Sequence, residues 1–157
     1  MLLSRWSRGG ESVTTIAARA GVMAADSRET DQHEALEFSF VVSDRARKLH
    51  RLPDGSVFGG ADGSESIHRL LESLKKKLSC PKIENVSGLL INPDGSVRLY
   101  EGNVWLKVKE PYYAIGTGAS FAMAAMHAGA DAATAVRIAT RMDPFSGGRV
   151  RWLRAKK

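Results

Sequence analysis

The chain has 157 residues, 43% of them hydrophobic and 25% charged, with a formal net charge of +6. That length holds one domain with a core of its own and little more, and no apolar run reaches the length of a membrane-spanning helix. The basic residues are scattered apart from Lys75-Lys76-Lys77 and the terminal RVRWLRAKK, and neither cluster has the interleaved aromatics of an RNA-binding module, so nucleic-acid binding ranks last among the functions considered.

The first segment, MLLSRWSRGGES, breaks its apolar stretch at Ser4, Arg5 and Ser7, which removes the apolar run of a secretory signal. Thr14 to Arg19 and Val22 to Ala25 are short apolar runs joined by an Ala-Gly turn, the pattern of a hairpin. Residues 36 to 42, LEFSFVV, predict another strand. Lys48 to Leu52, the turn PDG and Ser56 to Phe58 repeat the strand-turn-strand pattern. PDGSV occurs at 53–57 and again at 93–97, but the flanks differ; this is one favourable turn sequence used twice, not a duplication. Ser64 is placed to cap a helix with Ile67, Leu70, Leu71, Leu74 and Leu78 at helical spacing, closed by Pro81. SGLLI-NPDG-SVRLY reads as a hairpin, followed by strands at 104–108 and 112–115. Two helices come next: ASFAMAAMHAG, ending at Gly129, and DAATAVRIATRM, capped by Asp131 and stopped by Pro144. RVRWL is the last strand. Strands, helix, strands, two helices and a strand, in that order, argue for an α+β or layered domain built on antiparallel sheets.

The single cysteine, Cys80, excludes an intramolecular disulfide framework and suits a reducing cytoplasm. The four histidines, at 33, 50, 68 and 127, have no metal-ligand spacing, so no metal site is expected. On composition alone Thr14-Thr15 is β-branched strand filler. A threonine hydroxyl becomes a useful nucleophile only beside a base and a tuning cation. A threonine at the chain start would bring its own base, because an α-amino group titrates at about 7.7 to 8.0.

The span TTIAARAGVMAADSRET resembles the start of a mature proteasome β-subunit or of the related bacterial HslV peptidase. The resemblance continues in order through ARKLHRL, VFGGADGS, AIGTGASFAMAA and MDPFSGGRV, and so covers most of residues 14 to 150. It implies the N-terminal-nucleophile hydrolase fold, a four-layer αββα sandwich of antiparallel sheets. One of its usual helices is missing, since only SCPKIENVSG stands between the first helix and the strand LLI. A missing helix would bare apolar surface unless something else covers it.

The resemblance also implies site roles. Thr14 takes the place of the nucleophile, Asp26 that of a buried carboxylate, and Lys48 that of a lysine whose charge lowers the proton affinity of the threonine. Asp143 and Ser146 match groups that orient the threonine's amino end, and Thr117 stands where serine is usual. Gly59, Gly60 and Gly63 are the candidates for the backbone N–H that stabilises an oxyanion, with two registers open. The implied activity is threonine-type endopeptidase, needing no cofactor, in a compact bacterial or phage protein of the cytoplasm. The implied partners are polypeptide substrates, further copies of the chain in a homo-oligomeric ring, and an ATP-dependent unfoldase. The chain has no P-loop of its own.

Residues 1–13 are a leader, a propeptide or a mis-annotated upstream segment, and 14–157 the single hydrolase domain. Val13 stands where precursors carry glycine. A GTG start at this position, behind a translated ribosome-binding site at 8–11, is preferred over autocatalytic removal. The alternative functions are a non-catalytic structural subunit with an unprocessed N-terminus and, more weakly, an amidohydrolase acting on a small amide. The segment from Asp26 to Lys48 reads as a long loop whose acidic part, ETDQHEALE, reshapes the cleft or a subunit contact.

Overall fold

The structure, a computed structural model, describes residues 14–33, 38–61, 64–77, 86–101 and 104–157. Strands β1 (Thr15–Arg19) and β2 (Val22–Ala25) form the expected first hairpin. Its turn puts Ala20 at φ 51° and Gly21 at φ 74°, the pair of positive angles that matches the twist of a two-residue hairpin. β10 (Tyr112–Gly116) pairs with the outer side of β1, and β11 (Arg151–Arg154) with the outer side of β2, giving a four-stranded antiparallel sheet in the order β10-β1-β2-β11. A second sheet runs β5 (Leu49–Arg51), β6 (Val57–Ala61), β7 (Ser87–Ile91), β8 (Val97–Glu101), β9 (Val104–Lys107) in spatial order. Its two PDG turns are built alike. In each, the aspartate side chain, Asp54 or Asp94, accepts from the N–H two residues on, and the glycine, Gly55 or Gly95, takes φ near +88°.

Strand alternation sorts the side chains into three apolar layers. Ile16, Ala18, Met23 and Ala25 of the first sheet meet Leu49, Val57, Leu89, Ile91 and Leu99 of the second, forming the core between the sheets. The alternate residues Ala17, Ala24 and Ala114 face the opposite way, toward helices α2 (Ala119–His127) and α3 (Ala132–Met142). Those helices present alanines in return: Ala132, Ala135 and Ala139 share one face of α3 with Val136. Small side chains on both partners let the helix layer lie close to the sheet. Asp131 caps α3 by accepting from Thr134 N–H at 2.8 Å. On the outer face of the second sheet, Phe58, Leu90 and Tyr100 pack on Leu70 and Leu71 of α1 (Ser64–Lys75).

The layers are therefore helices, sheet, sheet, helix, the four-layer α+β sandwich expected, with three helices among the described residues. On the same outer face Trp105 leans on Tyr100 with ring centroids 5.1 Å apart, and Val86 joins the cluster. Tyr100 is fully buried as a result. Leu78, Cys80, Pro81, Gly63 and residues 1–13 lie outside the described residues.

One expectation is corrected. The segment between Asp26 and Lys48 is not a loop but a separate two-stranded sheet, β3 (Glu29–His33) paired antiparallel with β4 (Phe38–Ser43). β4 was expected from its alternating apolar residues. ETDQH gives no such signal, because it holds no apolar residue from which a strand period could be read.

Candidate functional site

The site forms where the central strand β1 begins. Asp26, directly after β2, is 1% exposed, and its Oδ1 accepts three hydrogen bonds: from Thr14 Oγ1 at 2.9 Å, from Thr15 N–H at 3.0 Å and from Lys48 Nζ at 2.7 Å. Oδ2 accepts from Gly147 N–H at 3.0 Å and from Arg28 N–H at 3.3 Å. The Lys48 side chain is only 10% exposed. Burial pulls its proton affinity below that of an ordinary lysine, while the charge and hydrogen bond of Asp26 oppose that loss.

A second carboxylate supports the same strand end. Asp143, the C-cap of α3, is 4% exposed and accepts at Oδ2 from Ser146 Oγ and from Thr117 Oγ1, both at 2.6 Å. Its Oδ1 accepts from Phe145 N–H at 3.1 Å, closing the turn after Pro144. Ser146 Oγ lies 2.7 Å from Thr15 Oγ1. Thr117 Oγ1 also lies 3.4 Å from the Thr14 carbonyl, a longer alternative to its bond with Asp143, and that carbonyl takes Gly118 N–H at 3.5 Å.

Thr14, Asp26, Lys48, Thr117, Asp143 and Ser146 thus converge from five parts of the chain on one hydrogen-bonded cluster. Asp143, Ser146 and Thr117 meet there through the Thr15 hydroxyl and the Thr14 carbonyl. Thr15 and Gly147 are members that sequence reasoning passed over. The doubled threonine and the glycine pair after Ser146 were their only signals. Of the oxyanion candidates, Gly60 donates its N–H to the Lys48 carbonyl at 3.3 Å. Gly59 lies between the sheets, where an added Cβ would sit 2.6 Å from Met23 Sδ. Gly63 is outside the described residues.

Arg28 and Asp44 brace the cluster from the solvent side. The guanidinium spans the carboxylate with contacts of 2.8 and 3.2 Å, which raises the arginine's proton affinity and lowers that of Asp44. Gly147 lies beneath this pair, and a Cβ there would come within 2.4 Å of Arg28 Cζ.

No protein-family profile and no curated protein sequence matches the chain. Solved structures do. Eukaryotic HslV from Trypanosoma brucei superimposes with a TM-score of 0.65 over 90% of this chain and 99% of that one, at 22% identity. BPH from Thiobacillus denitrificans gives 0.61 over 89% and 95%, at 17% identity. The layer order, the sheet pairing and this likeness to HslV agree on one architecture: the chain has the N-terminal-nucleophile hydrolase fold, with three helices among the described residues.

Proposed function

We propose that the protein is a threonine-type endopeptidase in which Thr14 is the nucleophile, and that it operates as a homo-oligomeric ring. The observation that carries this reading is the triple junction at Asp26 Oδ1, which holds the Thr14 hydroxyl and the Lys48 ammonium within 2.9 Å of one buried oxygen. A carboxylate in that position keeps the lysine charged in spite of its burial, and the lysine's charge then lowers the cost of developing alkoxide character at Thr14.

In the proposed reaction Thr14 Oγ attacks the carbonyl carbon of a peptide bond. The hydroxyl proton passes to the α-amine of Thr14, directly or through water, and from there to the departing amine. Water then hydrolyses the ester, returning the threonine hydroxyl and releasing the second product as a carboxylic acid. No metal is needed for this route. The α-amine is available only if Thr14 is the first residue of the working protein, so removal of residues 1–13, or initiation at position 13, is part of the proposal. Asp143, Ser146 and Thr117 are positioning residues in it, holding the Thr14-Thr15 backbone through Thr15 Oγ1 and Thr14 O. A cytoplasmic setting and an ATP-dependent unfoldase that feeds polypeptide belong to the same proposal.

The test is expression of the chain starting at Thr14, hydrolysis of fluorogenic peptides, and intact mass of the natural protein. Hydrolysis that disappears in Thr14→Ala supports the reading. Unaltered hydrolysis in Thr14→Ala refutes it, and a natural mass that retains residues 1–13 favours a structural subunit.

A further inference from the structure

Among the described residues the β3–β4 hairpin pairs with no other strand. A lone two-stranded hairpin is marginal in water, so this one needs a surface to lie on. Its chemistry is distinctive. Residues 29–37 hold Glu29, Asp31, Glu34 and Glu37 with no lysine or arginine among them, in a chain whose net charge is +6. In β4, Val41 and Val42 are 49% and 57% exposed.

A complementary surface lies at the open side of the sandwich, where the edge strand of each sheet is exposed: β5 of the second and β11 of the first. Between them is a cavity of about 730 Å³ whose polar lining is Arg47, His50, Arg51, Lys75, Arg149 and Arg151, beside Trp152 and with no carboxylate in that lining among the described residues. Arg47, Arg149 and Arg151 have no ion-pair partner among the described residues. Trp152 is 57% exposed, an aromatic surface beside the arginines. Burial lowers the proton affinity of His50, and the charges of Lys75 and Arg47 lower it further.

Glu29, Thr30, Val41, Val42 and Ser43 of the hairpin are not among the residues that line this groove. Arg28 grips Asp44 at the hairpin's base, and Gly148 packs so close to the Asp44 carbonyl that a Cβ would stand 2.8 Å from it. We propose that the acidic β3–β4 hairpin of one copy seats in the basic β5–β11 groove of the next. Donor and acceptor are different surfaces of one chain, so the contact is head-to-tail, the type that closes into rings. This rests on the ring-forming reading above and adds the two surfaces that make the contact. It also ties assembly to the site, because the hairpin joins Asp26 to Lys48 in sequence.

The experiment is a charge swap read by sedimentation. The variant Glu29→Lys/Asp31→Lys and the variant Arg47→Glu/Arg151→Glu are each expected to weaken self-association about tenfold or more. An equimolar mixture of the two is expected to co-assemble, since the reversed hairpin meets the reversed groove and the parent surfaces meet each other. A parent chain that stays monomeric, variants that assemble like the parent, or a mixture that fails to co-assemble overturns the proposal. Should a variant fail to fold by circular dichroism, the parent's salt dependence decides. Association carried by these charges weakens between about 50 and 500 mM salt, and insensitivity to salt overturns it. Thr14-dependent peptide hydrolysis by a monomeric chain would sink this inference alone, and hydrolysis independent of Thr14 beside a successful swap would sink the peptidase reading alone.

Discussion

Replacing Asp26 by asparagine keeps the shape of the side chain and removes its charge. In the parent both carboxylate oxygens face donors only: Thr14 Oγ1, Thr15 N–H and Lys48 Nζ at Oδ1, Gly147 N–H and Arg28 N–H at Oδ2. An amide has one acceptor oxygen, so either orientation turns its NH2 toward donors and leaves those unpaired. The larger effect falls on Lys48, which stays buried and loses its hydrogen-bonded carboxylate while Glu29 and Asp143 still act on it from further off, a change worth up to about 3–5 kcal/mol. That cost has a ceiling, because the lysine can shed its proton. From an ordinary value of about 10.4, neutralising it costs about 5 kcal/mol at pH 7 and about 2 kcal/mol at pH 9, falling by about 1.4 kcal/mol per pH unit.

The sign follows from linkage. Lys48 is already lowered in the folded parent by burial, and Asp26 opposes that lowering; in the variant the opposition is gone and the folded value drops further. Between that value and the ordinary one the unfolded chain binds more protons than the folded chain, so the variant gains stability as pH rises. Urea unfolding of parent and Asp26→Asn from about pH 7 to 9 is expected to show a deficit of up to about 3–5 kcal/mol that narrows with pH. In thermal melts the deficit corresponds to up to about 6–20 °C at neutral pH. Adding Lys48→Met to Asp26→Asn removes the stranded charge and restores part of the loss. A deficit that does not change with pH, together with no rescue by Lys48→Met, would show that Lys48 does not depend on Asp26 for its charge.

Thr117→Ser keeps the hydroxyl that Asp143 accepts at 2.6 Å and is expected to leave stability and peptide hydrolysis close to the parent. Thr117→Val removes that bond to a charged partner, a loss of about 2 kcal/mol in unfolding free energy; equal behaviour of the two variants would dismiss the positioning role. Gly147→Ala brings a methyl within 2.4 Å of Arg28 Cζ, so the flexible guanidinium must swing off Asp44, at a cost of up to about 1 kcal/mol for the exposed ion pair. The same substitution made in an Arg28→Ala background is expected to cost markedly less, and strict additivity in the double-mutant cycle would show that Arg28 is not the obstacle.

Much of the architecture could be read directly because the residues that make it also face the core. The alternation through β1 and β2 and the 3.6-residue spacing in α3 carry both the element and its buried side. The turn at Pro53-Asp54-Gly55 and the cap at Asp131 were legible for a different reason, since each is a local hydrogen-bond device that needs one particular residue. β3 was not legible, because Glu29 to His33 pair with β4 without an apolar face in the pattern. For the site, the convergence of Asp26, Lys48 and Asp143 could be anticipated only through resemblance, since 22 residues separate the first pair and 117 separate Asp26 from Asp143. Sequence spacing says nothing about such meetings; the pairing of β1 with β2 brings Asp26 to the strand end, the stacking of the second sheet brings Lys48 and the packing of α3 on β1 brings Asp143. Thr15 was overlooked for a simpler reason. A β-branched residue at a strand start is what the strand itself asks for, and its second role at Ser146 leaves no trace in the pattern.

The segment Gly116-Thr117-Gly118 shows why the cluster is held so tightly with so few long side chains. Gly116 sits at φ 96° with its α-carbon against the Thr14 carbonyl, and a Cβ there would fall 1.9 Å from that oxygen. Gly118 is pressed equally hard against Thr15, its imagined Cβ 1.9 Å from Oγ1. Two glycines flanking Thr117 therefore let the turn approach the two threonines at backbone distance, and only then does the short Thr117 hydroxyl reach both Asp143 and the Thr14 carbonyl. A longer polar side chain could span a wider gap, but it would surrender more rotamer entropy on being fixed and would position the strand end less sharply. The rigidity needed at Thr14 thus comes from backbone contact and buried carboxylates, which hold the β1 end whether or not a substrate is present.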